Sequence, residues 1–414
     1  MQTKKIILHC DVNNFFASCE CALNPSIKDQ PVAVTGEVTK RNGIVLAKNE
    51  IAKRFGIKTG DVIFEAKRKC PDLVCVRPHH KIYERYSRQI RAIYEEYTDK
   101  VEPFGIDECW LDITDTVKFF GSALDVANTL RERIKNEIGV TISVGISFSK
   151  TFAKLGSDMK KPDAVTVLSK ENFKQKTYHL PLGSIIGIGK KLETKLNKLN
   201  IFTLGDLAEY DENIIKKKFG IVGERLQKNV QGIDDDDVQN VDDRKIVKSV
   251  GNGTTTLVDV KNKKELRSVV MFLCDEIATR LRAKHLTGST ISVSLRRNDL
   301  IWLSKSHTIL KNTNSAKDIY HTAMDIIDQI WNEVCPLRSI RISVSNLDND
   351  DISQLDLFNT DRNRKNLENA IDKIRQKYGY NSIRPLLSKD DRLINSQALR
   401  IEDDENENPD DDLS

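Results

Sequence analysis

Two short runs, far apart in the chain, constrain it most. The first is Ile-Ile-Leu-His-Cys-Asp-Val-Asn-Asn-Phe-Phe-Ala, ending at Ala17; the second is Phe-Gly-Ile-Asp-Glu-Cys-Trp-Leu-Asp, ending at Asp112. In each, carboxylates interrupt an apolar, strand-like stretch: Asp11 in one, the adjacent Asp107 and Glu108 in the other. Burying an unpaired charge is expensive, so such groups need a cation or donors beside them. Singly, each has an ordinary alternative, since Asp after a strand is a common turn or cap residue. Jointly, three carboxylates meeting at one sheet edge suit hard divalent cations such as Mg²⁺, which take carboxylate and phosphate oxygens. Two such ions, about 3.5–4 Å apart, clamp the attacking and leaving oxygens of a phosphoryl transfer.

The joint pattern resembles the Y-family DNA polymerases, the translesion enzymes. Their first motif is an Asp followed four and five residues later by two aromatics and then Ala, here Asp11, Phe15, Phe16 and Ala17. Their second is Ser/Gly-Ile-Asp-Glu-Ala-Tyr-Leu-Asp, here Gly105 to Asp112 with Cys109 and Trp110 in place of Ala and Tyr. The resemblance implies two Mg²⁺ ions held by Asp11, Asp107, Glu108 and the backbone carbonyl of Val12. It nominates Lys161, in Asp158-Met-Lys-Lys-Pro, as a ligand of the incoming triphosphate, and Phe16 as the side chain that rejects a 2′-hydroxyl. Phe15 is assigned to the core. In the fingers the family's Thr and Tyr positions fall on Ala47 and Glu50, and its Arg position on Lys53, with Lys48 open as a substitute. These departures look closer to the UmuC-type branch than to the DinB-type.

The element pattern agrees with an α+β multidomain plan. Strands are expected at 5–10, 31–35, 44–47, 101–104, 109–113 and 141–147, and helices at 14–22, 49–55, 81–98 and 123–137, the 81–98 helix with Ile82, Tyr86, Ile90, Ile93, Tyr94 and Tyr97 along one face. Strand, long helix, hairpin, helix and strand form a ferredoxin-like unit, which in the family is the palm (1–12 and 80–168) with a fingers insertion at 13–79. Short helices follow at 169–240, the thumb. There Gly187, Gly189 and Lys190 look like the turn of a helix-hairpin-helix, whose backbone N–H groups bind phosphate without reading bases. The run from Asp234 is expected as an acidic, flexible junction leading into a linker at 241–247. A second α+β unit, the little finger, is expected at 248–347, with strands near 250–257, 289–297 and 339–345. Arg296 and Arg297 at a strand end suit backbone phosphates.

Charge supports a polyanionic partner. The net charge is +4, but residues 402–414 carry eight acidic groups and no basic one, which leaves +12 on the rest. A basic body fits primer–template DNA, and the acidic end reads as disordered. No run of 18 apolar residues exists, so no membrane span is expected. Eight cysteines without Cys-x-x-Cys pairs fit a reducing compartment and no structural zinc.

Beyond residue 348 the chain should be a mostly exposed tail, yet Gln354-Leu355-Asp356-Leu357-Phe358 concentrates apolar groups there. It matches the bacterial sliding-clamp-binding pentapeptide, and 362–378 behind it looks helical. The resemblance as a whole implies template-directed, error-prone synthesis from deoxynucleoside triphosphates in a bacterial cytoplasm during SOS damage tolerance. The β sliding clamp, and a recombinase or accessory subunits, are the implied partners. The competing classes are a non-catalytic DNA-binding repair subunit that keeps the polymerase shell and a palm-type nucleotide cyclase.

Overall fold

The computed structural model describes residues 5–36, 43–233, 236–241, 243, 246–350, 361–388 and 393, with backbone alone at 361–365. Described residues up to 243 form one compact unit and those from 246 a second.

In the first unit the order is β1 (Ile7–Val12), α1 (Phe15–Leu23), β2 (Val32–Thr35), β3 (Val45–Lys48), α2 (Glu50–Arg54), α3 (Ile63–Lys69), β4 (Val74–Val76) and α4 (His80–Glu95). Then come β5 (Val101–Phe104), β6 (Glu108–Asp112), α5 (Ala123–Arg133), β7 (Ile142–Ser147), α6 (Lys150–Met159) and β8 (Val165–Leu168). A five-stranded sheet runs β5-β6-β1-β7-β8. Strands β1, β5, β6 and β7 with α4 and α5 make the ferredoxin-like βαββαβ arrangement, and β8 extends it by pairing parallel to β7. β1 lies centrally because all six of its residues are buried, from Ile7 to Val12. A smaller sheet, β3-β2-β4, is inserted between β1 and α4.

The core under the main sheet takes Leu8, Cys10, Phe15, Tyr94, Leu111 and Ile142. Helix α4 buries Tyr83, Ser87, Ile90, Ile93 and Tyr94, so its inner face begins at Tyr83 and not at Ile82 as periodicity suggested. Helix α6 crosses the other side of the sheet at Gly145, where a Cβ would stand 1.9 Å from the Ala153 carbonyl oxygen. Only glycine permits that approach, and it brings α6 against β1 and β7.

Four helices follow: α7 (Phe173–Thr177), α8 (Lys190–Asn197), α9 (Leu204–Glu209) and α10 (Glu212–Gln231). Their apolar faces close over Phe148, Phe152 and Leu155. The segment from 236 to 241 departs from the expected flexible junction. Val238 is buried beside Ile7, Trp110 and Ala153, Asp237 pairs with Lys5 at 2.5 Å, and the Val241 N–H donates to the Asp99 carbonyl. A buried valine and basic neighbours outweigh the repulsion of the acidic run.

The second unit holds β9 (Ser249–Val260), α11 (Lys263–Ala283), β10 (Leu286–Arg297), β11 (Trp302–Thr313), α12 (Ala316–Ile330), β12 (Leu337–Asn349) and α13 (Asp361–Tyr378). Its antiparallel sheet runs β11-β10-β12-β9, and α11 and α12 supply core residues such as Phe272, Leu273, Ile319 and Ile327. The edge strand β11 has no counterpart among the expected elements; nearly all its residues are exposed, so no apolar alternation marks it.

The described residues 361–388 do not trail as an exposed tail. Arg375 and Tyr380 are buried; the Arg375 guanidinium grips both Asp275 oxygens at 2.7 and 3.3 Å, and the Tyr380 hydroxyl donates to Asp275 at 2.6 Å. Arg282 adds a second pair, to Asp372 at 2.5 Å. Gln354, Leu355, Leu357 and Phe358 lie outside the described residues, as does the acidic end.

Candidate active site

The sheet register assembles the site. β1 and β6 are antiparallel with Asp11 opposite Glu108 and His9 opposite Trp110. Because alternate strand residues share a face, His9, Asp11, Glu108 and Trp110 all lie on the side away from the Cys10–Cys109 pair. The Val12 N–H donates to the Asp107 carbonyl at 3.1 Å, which fixes the 105–107 turn against the end of β1. That turn requires Gly105 at φ +83°, and Arg91 donates to its carbonyl at 3.2 Å.

Lysines of α6 and of the segment behind it reach the carboxylates. Lys161 Nζ lies 2.7 Å from Asp11 Oδ2 and 2.8 Å from Asp158 Oδ1. Lys154 pairs with Glu108, and His9 Nε2 stands 3.1 Å from the same Glu108 oxygen. Asp107 has no salt bridge among the described residues. Burial, then repulsion from Asp11 and Glu108, pushes its carboxyl up to about 6. Burial also raises Asp11, against the pull of Lys161. For Glu108 burial works upward too, but His9 and Lys154 outweigh it and hold the group at about 2. A carboxyl raised by burial and by two neighbouring carboxylates is a group short of a cation.

The donor set therefore has the chemistry Mg²⁺ takes, hard carboxylate oxygens, of which Asp107 lacks an ion pair among the described residues. The three carboxylates do not, however, surround one point. Among the described residues no group of three or more His, Cys, Asp or Glu side chains is arranged to enclose a metal. Asp11 is turned to Lys161 and Glu108 to Lys154 and His9, so ammonium groups stand where cationic charge is needed.

Phe15 is buried in the main core, as its assignment requires. Phe16 is half-buried and stacks on Tyr83 with ring centroids 4.3 Å apart, held edge-on by His80. Lys53 is exposed and 3.4 Å from Glu50 Oε1, while Asn14 donates to that same oxygen at 3.0 Å. Lys48 instead donates to the Thr59 hydroxyl. Gly189 caps α8 and precedes the exposed Lys190, with Gly187 at φ +94°. In the second unit Arg296 lies 5.7 Å from the Trp302 ring centroid. Arg297 is paired with Asp299 at 2.5 Å, which competes with any phosphate.

Lys154, His9, Ser157 and Tyr83 escaped the reading of the sequence. For His9 a signal existed: it precedes Asp11 by two residues in a strand, hence shares its face. Lys154 lies one helical turn before Asp158, which predicts a common helix face. Nothing in the sequence announces that α6 packs against β6.

Comparison with known proteins places this architecture. The sequence pattern of the impB/mucB/samB family matches residues 10–158, and that of its C-terminal domain matches 247–357. A DNA polymerase IV of Acetivibrio thermocellus is 41% identical over 95% of this chain and 99% of its own length. A DNA polymerase IV 2 of Bacillus subtilis is 36% identical, over 92% of this chain and 94% of its own. Among solved structures, a chimeric Y-family DNA polymerase superposes with a TM-score of 0.74 at 26% identity, covering 82% of this chain and 98% of that one. No helix among the described residues is long and apolar enough to cross a membrane. The chain belongs to the impB/mucB/samB family, that of the Y-family DNA-directed DNA polymerases.

Proposed function

We propose that this polymerase performs translesion synthesis with two Mg²⁺ ions held by Asp11, Asp107, Glu108 and the Val12 carbonyl. The observation that carries the reading is Asp107, a partly buried carboxyl that burial, and then repulsion from Asp11 and Glu108, pushes up to about 6, with no salt bridge among the described residues. Bound Mg²⁺ supplies charge neutralisation and alignment of the primer hydroxyl, the α-phosphate and the leaving pyrophosphate. Lys161, with its ammonium beside Asp11, is the residue placed to pass from carboxylate to triphosphate when nucleotide enters. Lys53 supplies a second cation from the fingers. The names of the relatives favour the DinB-type branch over the UmuC-type suggested by the fingers substitutions.

Phe16, braced by Tyr83, forms the wall under the incoming sugar. Phe16→Ala should admit ribonucleotides, whereas Phe15→Ala should leave sugar choice intact and lower stability by about 3 kcal/mol through an unfilled core. Comparing ribonucleotide with deoxynucleotide incorporation in the two variants decides the register. Relaxed selection in Phe15→Ala alone would show it to be wrong by one.

The duplex backbone would be held by the Gly187–Gly189 turn with Lys190 and by the sheet of the second unit. Of the two arginines there, Arg296 should matter more, because Arg297 is engaged by Asp299. Arg296→Ala should weaken primer–template binding equally across sequences and flatten the slope of log K against log salt by about 1. An unchanged slope removes Arg296 from the DNA surface.

Gln354–Phe358 would dock as an extended peptide on the sliding clamp, with Leu357 and Phe358 as anchors. Leu357→Ala with Phe358→Ala should abolish clamp-stimulated synthesis and leave extension without clamp unchanged. A fall in basal activity and melting temperature together would instead make the segment a structural strap.

A further inference from the structure

Behind Glu108 lies a buried side chain that no step so far has used. His9 is fully buried, with 0% of its surface exposed, in a strand whose other residues, Asp11 apart, are apolar. Its ring is held on two sides. Nδ1 lies 2.8 Å from the Ser157 hydroxyl oxygen, and Trp110 meets the ring edge-on at 5.2 Å. Nε2 faces Glu108 Oε2 at 3.1 Å but has no fully formed hydrogen bond among the described residues. A buried ring nitrogen without a full partner costs free energy, so its persistence here needs a reason.

The hydrogen-bond roles give one. Ser157 Oγ is 2.8 Å from the Lys154 carbonyl and 2.8 Å from His9 Nδ1. A hydroxyl has one hydrogen. If Ser157 gives it to His9 Nδ1, the neutral ring carries its hydrogen on Nε2 and directs it at Glu108. If Ser157 gives it to the Lys154 carbonyl, Nδ1 must carry hydrogen, and a neutral ring would then set a bare Nε2 lone pair against a carboxylate oxygen. The first arrangement directs the Nε2 hydrogen at Glu108 and gives up only the contact between Ser157 and the Lys154 carbonyl. The close approach of α6 at Gly145, directly opposite His9 in the sheet register, is what brings Ser157 within reach.

Lys154 also contacts Glu108, but an ammonium on a flexible stem supplies charge without direction. The histidine is rigid. We propose that His9 is a positioning residue which, oriented by Ser157, fixes the carboxylate of Glu108 for metal binding, in the manner of outer-shell partners that orient metal ligands. The inference rests on the assignment of Glu108 as a metal-holding carboxylate.

The test uses two near-isosteric variants of the full-length protein. Gln places its amide nitrogen where Nε2 stood and keeps a donor toward Glu108, whereas Asn reaches only the Ser157 side. Mn²⁺ binding would be followed by electron paramagnetic resonance on the complex with primer–template and a non-hydrolysable nucleotide, alongside melting temperature. His9→Asn should weaken Mn²⁺ binding about tenfold with little change in melting temperature, and His9→Gln should stay within about threefold of the parent. Parent-like binding in His9→Asn overturns the inference, as does an equal loss in both variants together with a fall in melting temperature, which would mark a structural role. Glu108→Gln is the separate control. If it too binds Mn²⁺ as the parent does, the assignment of Glu108 has failed and the inference with it; if it binds weakly while His9→Asn does not, the inference alone has failed.

Discussion

Replacing Asp107 by Ala should lower the rate of primer extension by about 10³-fold or more, while primer–template binding stays close to that of the parent. Removing a ligand that acts on the transferring phosphate costs transition-state stabilisation at about 1.4 kcal/mol per decade, so a loss of that size is about 4 kcal/mol. The structure sharpens the expectation for the carboxylates. Asp107 has no salt bridge among the described residues and is pushed up to about 6, so its removal relieves repulsion in the free protein and should raise the melting temperature slightly. Glu108 is engaged by Lys154 and His9. Glu108→Ala should therefore lose activity and stability together, since it strands a lysine and a buried ring. Single-turnover extension beside thermal unfolding separates the two signatures. Near-parent extension by Asp107→Ala would remove it from the reaction.

The second large effect belongs to the second unit. Arg375→Ala should destabilise it by about 3–5 kcal/mol, the cost of leaving a buried charge uncompensated. Asp275 is 6% exposed and takes both its charge partner and a hydroxyl donor from the segment after 360. Arg375 also donates twice to the Ile383 carbonyl, at 3.0 and 2.9 Å, so the substitution loosens the chain that follows α13. Pairing Asp275→Leu with Arg375→Met should recover most of the loss, because an apolar pair of similar volume has no desolvation to offset. Denaturant unfolding of the full-length protein measures both. A change under 1 kcal/mol in Arg375→Ala would mean that α13 does not dock on α11.

What could be read beforehand was whatever local pattern decides. Asp11 and Asp107–Glu108 stood out because charges in apolar strands are anomalous, and the long helix carrying Tyr83 to Tyr94 because its period is strong. The helix face was misjudged at its start, where Ile82 looked apolar but Tyr83 is the residue that meets Phe16 and Glu20. The edge strand β11 was missed because it buries almost nothing. The packing of 236–241 and of Arg375 was missed for a different reason. Each is a polar-looking segment held by long-range contacts, Lys5 to Asp237 and Asp275 to Arg375, and separation along the chain hides such pairs. His9 shows the same limit at the site itself. Its shared face with Asp11 was available from strand alternation, but its link to Ser157 depends on how closely α6 settles on Gly145.

We propose template-directed nucleotidyl transfer at the Asp11, Asp107 and Glu108 cluster. The most direct test is single-nucleotide extension on four primer–templates that differ only in the templating base, with each deoxynucleoside triphosphate offered alone in Mg²⁺. The favoured nucleotide should change with the templating base, chelation by EDTA should stop the reaction, and Asp11→Ala should be inactive while still binding the duplex. Extension that ignores the templating base, or that persists in Asp11→Ala, would contradict this proposal, and so would binding of the duplex with no extension at all.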